Sequence, residues 1–197
     1  MGTPKQISSD HPVRKLFTTL TCLEPYPTGV VAVPEQILGT SFFPGGTGLW
    51  CEESSEAPDL PARGIMVLGH DFHNVAGYDR SRRNIAENLD SPTWKHLLAL
   101  LSRVPIPPAR CFFTNIYMGL RAGHGTTGRF PGSLCRDFTT RCQEFFIRQI
   151  QMQRPRVILA LGKWVPEFLA SLSPQLSAWT QFRTLTAIDM AGLPLMA

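Results

Sequence analysis

Hydrophobic and polar positions are regularly ordered only from about residue 63 onward. Gly64-Ile-Met-Val-Leu-Gly69, Cys111-Phe-Phe-Thr-Asn115 and Val157-Ile-Leu-Ala-Leu161 are short, nearly unbroken apolar runs. Such runs mark strands buried on both faces. Between them, apolar residues recur every three or four positions. Ser91-Pro92 opens the first such stretch as an N-cap followed by proline at the first helical position. Trp94, Leu97, Leu98, Leu101 and Val104 form its stripe until Pro105. The glycine-rich segment Gly119–Gly132 leads into a helix of about 20 residues, broken at Pro155, with Leu134, Phe138, Cys142, Phe145, Phe146 and Ile150 on one face. Gly162 and an amphipathic stretch, Trp164–Leu172, follow the third run. His70–Asn88, polar and rich in arginine, reads as a loop.

Strand and helix alternating in this way predict an α/β fold: a three-layer αβα sandwich with a short central parallel sheet. Ligands of such sheets bind beyond the carboxyl ends of the strands. That edge gathers Gly69-His70-Asp71-Phe72-His73, Asn115 and Gly162-Lys163. The first 62 residues read differently. Val13–Leu20 suits a short helix, but Pro25, Pro27, Pro34, Pro44 and Pro58, the turn Pro44-Gly-Gly-Thr-Gly48 and an acidic loop at Glu52–Asp59 work against long elements. Residues 1–62 are therefore expected to be an irregular extension packed on the core, and residues 63–197 the α/β domain.

Charge sharpens this division. The whole chain carries +4. Residues 1–62 hold three basic and seven acidic groups, and residues 63–197 hold sixteen and eight. The body is thus a basic unit. Fifteen of the nineteen basic residues are arginine, whose planar fork suits phosphate. Either the arginines solvate helix faces, or the partner is an anion with nucleic acid the first candidate. No apolar run approaches the roughly 18 residues that span a bilayer. The N-terminus has no apolar signal core. The five cysteines form no Cys-x-x-Cys, which argues against a disulfide framework or zinc ribbon. A cytoplasmic monomer with no membrane association is expected. His70 and His73 alone do not make a metal site, and no phosphate-binding loop or nucleophile elbow is present. Neither metal nor cofactor is expected.

Val67-Leu-Gly69-His70-Asp71 resembles the first motif of the uracil-DNA glycosylase superfamily, and Thr114-Asn115 is similar to its base-recognition asparagine. Gly128-Arg-Phe-Pro131, the helix with Cys142, and Arg154-Pro155-Arg-Val-Ile-Leu-Ala-Leu-Gly162 follow the order of its smaller members. The resemblance spans about residues 63–172. It implies a DNA-repair hydrolase that cleaves the N-glycosidic bond of a flipped uracil or damaged base. Asn115 would read the base, because a carboxamide offers both a donor and an acceptor. Asp71 would be the catalytic carboxylate, stabilising a cationic sugar and orienting water. Phe72 or Tyr78 would stack on the base and His70 would also line its pocket. Arg80, Arg82, Arg83 and Lys163 would hold phosphates.

Each residue also has a structural reading: Asp71 or Asn115 as turn residues, Phe72 as core, Arg80–Arg83 as solvated surface. The chain departs from the family at Phe72, which stands where proline is usual. Its cysteines do not reproduce the spacing of the iron–sulfur members. No His-Pro-Ser-like segment precedes Ala197, although His124 lies in the long loop after the second strand. Truncation would explain the missing segment. The alternatives are a non-catalytic nucleic-acid-binding relative and a hydrolase of small N-glycosides.

Overall fold

The computed structural model describes residues 12–35, 37, 62–84, 87–104, 106 and 111–181. The chain is a mixed α/β protein. After a short helix α1 (Pro12–Thr18) and a two-residue strand β1 (Val30–Val31), the three expected runs become β2 (Ile65–Gly69), β3 (Cys111–Asn115) and β5 (Val157–Ala160). They form one parallel sheet in the order β3-β2-β5. The first strand therefore sits centrally, with crossovers leaving to either side. The register pairs Ile65 with Cys111 and ends by pairing Gly69 with Asn115.

Strand alternation sends successive side chains to opposite faces. Met66, Leu68 and Phe112 enter the main core with Phe138, Phe145 and Phe146 of α4 (Arg136–Gln153) and Phe168 of α5 (Val165–Leu172). Val67, Cys111 and Phe113 enter a second cluster with Leu97 and Leu101 of α3 (Pro92–Leu101). Helices thus cover both faces. Ser91 caps α3 as anticipated, its Oγ accepting the Trp94 N–H at 3.4 Å. Burial pushes the Cys142 thiol up to about 12, so it behaves as a neutral apolar group in the core.

Three expectations need correction. The segment read as a loop from His70 to Asn88 contains a helix, α2 (Val75–Asn84). Only Tyr78 and Ser81 of that helix are buried, so it shows no apolar stripe for periodicity to detect. Its start is fixed by Asn74, whose Oδ1 accepts the Gly77 N–H at 2.9 Å. Leu134 does not belong to the buried face of α4. It ends a 3-10 turn, Pro131–Leu134, and is 76% exposed. Finally, β5 is not buried on both faces: Val157 is 52% exposed, because the strand has β2 as its one neighbour in the described sheet.

The described part of the leader joins the core. Leu16, Leu20, Leu23, Val30, Val33 and Ile37 all belong to the main cluster. β1 pairs antiparallel with β4 (Leu120–Arg121), and Arg141 of α4 donates to the Leu23 and Pro25 carbonyls. The Pro44–Gly48 turn and the Glu52–Asp59 loop lie outside the described residues. Among the described residues no helix is long and apolar enough to cross a membrane.

Candidate functional site

The pairing of Gly69 with Asn115 ends two adjacent strands side by side, and the chain leaves both at the carboxyl edge. α2 and α3 begin at the same edge. Between them lies a cavity of about 260 Å³ bordered by Gly69, Asp71, His73, Arg80, Trp94 and Asn115. It is slightly smaller than the roughly 300–1,000 Å³ of drug-sized sites, a size that suits one planar ring system. Asp71 and Asn115, expected to converge from neighbouring strands, both border it.

Asn115 is half-buried, and among the described residues its carboxamide has no hydrogen-bond partner. The amide lies across Gly69, where an added Cβ would overlap its Oδ1. Glycine at the end of β2 thus leaves room for the amide, which any Cβ there would have to push aside. A polar group on a cavity wall with its donors and acceptor uncommitted is available for a ligand.

Asp71 is in the opposite situation. Its Oδ1 accepts the His73 N–H at 2.9 Å and the Arg121 Nε–H at 3.3 Å. Its Oδ2 accepts Arg121 Nη2 at 2.7 Å and His70 Nδ1 at 2.9 Å. A carboxylate has about four lone-pair positions, and all four are filled. Arg121 donates its remaining bonds to the carbonyls of Thr127, Gly128 and Arg129, which commits the whole guanidinium. The two side chains are 8% and 6% exposed. Burial works to raise the Asp71 pKa, but hydrogen bonds from His70 and Arg121 and the guanidinium charge hold it below the usual carboxylate value. In this arrangement Asp71 fastens the loop after β2 to the loop after β4 and has no oxygen left for a water. The turn-forming alternative describes its His73 contact well.

The aromatic residues divide between core and site. Tyr78 is 1% exposed, and its hydroxyl sits between the Glu35 carbonyl, to which it donates at 3.0 Å, and the Glu35 N–H, from which it accepts at 3.1 Å. Phe72 borders the cavity but is only 5% exposed and belongs to the main core. Neither presents a ring face. Trp94, in the first turn of α3, does border the cavity and leans on Phe113 at 5.4 Å.

His70 turns to the other side of the loop, into a second cavity of about 190 Å³, and stacks on Trp164 at 6.1 Å. Lys163 lies 4.5 Å from the Trp164 ring centre and Arg129 lies 5.8 Å from it, so both cations flank this second cavity. Among the α2 arginines, Arg80 borders the first cavity. Arg82 pairs with Glu35 at 3.2 Å in an exposed contact, and Arg83 is exposed at the helix end.

Arg121, Asn74 and Trp94 did not stand out as site residues in the sequence, and His73 did so only as part of the cluster at the sheet edge. Nothing marked Arg121 apart from fourteen other arginines. Its signal is the three-dimensional one of a saturated buried guanidinium. Compared with known proteins, the chain matches no protein-family model and no curated protein.

Proposed function

We propose that this protein is a uracil-DNA glycosylase-like DNA-repair protein, its α/β body a sandwich of that kind, which receives a flipped uracil or damaged base in the sheet-edge cavity and hydrolyses its N-glycosidic bond. The observation that carries the reading is the uncommitted Asn115 carboxamide laid across Gly69 at the rim of a base-sized cavity. A pyrimidine edge alternates donors and acceptors, and a carboxamide complements two of them at once. Trp94 supplies an aromatic wall, in a class of contact worth about 1–3 kcal/mol per base. Arg80 at the cavity border and the exposed Arg83 further along α2 offer phosphate contacts. Asp71 acts here by fixing the loop that carries its neighbours.

Incubation with single- and double-stranded oligonucleotides carrying one uracil, followed by alkaline cleavage at abasic sites, tests this. Release of uracil by the wild type, lost in Asn115→Ala, is expected. Absence of release on both substrates refutes the hydrolase.

A second reading, a nucleic-acid-binding relative without catalysis, is favoured by one observation, the saturated carboxylate of Asp71. It predicts DNA binding that weakens steeply with salt and yields no abasic product.

A further inference from the structure

The saturation of Asp71 removes that carboxylate as the group that takes a proton from water in the proposed hydrolysis, and the geometry points to His73 Nε2 for that role. The inference rests on the glycosylase reading above. His73 borders the same cavity as Asn115. Its backbone has φ +76, a conformation that residues with a Cβ rarely adopt and that gathers at functional loops. Three bonds hold it there: its N–H donates to Asp71, its carbonyl accepts the Arg121 N–H at 2.9 Å, and its ring meets Asn74.

The bond to Asn74 decides which ring nitrogen carries the proton. Asn74 Nδ2 donates to the His124 carbonyl at 3.1 Å, and Asn74 Oδ1 accepts the Gly77 N–H at 2.9 Å. The amide orientation is therefore fixed, and the Oδ1 that lies 3.0 Å from His73 Nδ1 can only accept. In the neutral ring Nδ1 bears the hydrogen and Nε2 keeps its lone pair. Asn74 is only 4% exposed, so the orienting group is itself held. The ring also lies against Gly77, where an added Cβ would overlap Nδ1. An oriented imidazole whose Nε2 keeps its lone pair, on an exposed residue that borders the cavity, is the arrangement of a general base.

A water oxygen bonds to the sugar C1′ while the C1′–N1 bond breaks, and its electron pair leaves on the base. The water proton passes to His73 Nε2, giving an imidazolium that later protonates the departed base or solvent.

The test compares wild type, His73→Ala, and His73→Ala with added imidazole, in uracil release from an oligonucleotide across pH. Binding to an oligonucleotide with a non-hydrolysable 2′-fluoro uracil nucleotide serves as the folding control. The other charged or titratable groups around the ring are Asp71 and Arg121 across its loop, Arg80 on α2, Glu87 beyond α2, and His124 behind Asn74. Expected are binding close to wild type, release slowed about 10²–10⁴-fold, loss of the limb that falls as pH drops, and partial restoration by imidazole. Release by His73→Ala within about threefold of wild type, with its pH profile unchanged, overturns the role of His73 and leaves the glycosylase reading intact. Absence of release by the wild type overturns both.

Discussion

Replacing Asp71 by asparagine separates a structural carboxylate from a catalytic one. Four donors face its two oxygens: His73 N–H and Arg121 Nε–H on one, Arg121 Nη2 and His70 Nδ1 on the other. An asparagine of the same shape offers one oxygen and one NH2. Whichever way the amide turns, an Arg121 N–H meets an N–H, and the guanidinium charge loses its partner. Hydrogen bonds to charged groups contribute about 1.5–3 kcal/mol each, and breaking a buried ion pair from one side costs about 3–5 kcal/mol. With both side chains under a tenth exposed, screening by water does little to reduce this. About 3–5 kcal/mol is a large part of the roughly 5–15 kcal/mol that holds a domain together. For a chain of this size it lowers Tm by about 6–20 °C. Circular dichroism melting and urea unfolding measure it. Asp71→Asn within about 0.5 kcal/mol of wild type, the range of an ordinary surface change, refutes the reasoning.

The same group gives a pH signature with a definite sign. Burial alone raises the Asp71 pKa, but His70 and Arg121 overcome it and the folded value lies below the ordinary 3.8. The unfolded chain therefore takes up its proton first as pH falls. The stabilisation is complete at neutral pH and is lost from about the ordinary carboxylate value downward, toward the lower folded value. Asp71→Asn lacks this component, so the stability gap between the two proteins narrows in acid. A gap that stays constant from pH 7 to pH 2 contradicts the pairing.

Two further substitutions probe the site and its support. Gly69→Ala places a methyl where Asn115 Oδ1 lies. It should weaken binding to uracil-containing DNA at least tenfold while costing under about 1 kcal/mol of stability, since a side-chain end is displaced rather than backbone; unchanged binding by fluorescence anisotropy contradicts this. Tyr78→Phe removes the hydroxyl that bridges the Glu35 N–H and carbonyl. It should destabilise by about 1 kcal/mol without altering DNA affinity, measured by urea unfolding alongside the same binding assay.

The sheet was legible in the sequence because β2 and β3 are short, apolar and bounded by glycine or a polar turn. Their parallel order brings Asp71 and Asn115 to one edge. α2 was not legible: it is held by the Asn74 cap and one buried tyrosine, and neither leaves a periodic trace. β5 read as fully buried because periodicity reports apolar character and carries no information on how many neighbours a strand has. Tyr78 and Phe72 looked available for stacking because an aromatic next to a loop has the same one-dimensional signature whether it faces a cavity or the core. The pairing of Asp71 with Arg121 spans fifty positions, and only the fold reveals it. That pairing commits both oxygens of Asp71, which no one-dimensional pattern can show.

The central claim is that the sheet-edge cavity reads a base through Asn115. The most direct measurement is the affinity of wild type and Asn115→Ala for three otherwise identical oligonucleotides, carrying 2′-fluoro uracil, 2′-fluoro cytosine or an abasic analogue at one position. The account predicts that wild type prefers uracil by about tenfold or more. It also predicts that Asn115→Ala binds all three alike, with its melting temperature unchanged. Equal binding of the three by the wild type, or an undiminished preference in Asn115→Ala, contradicts it.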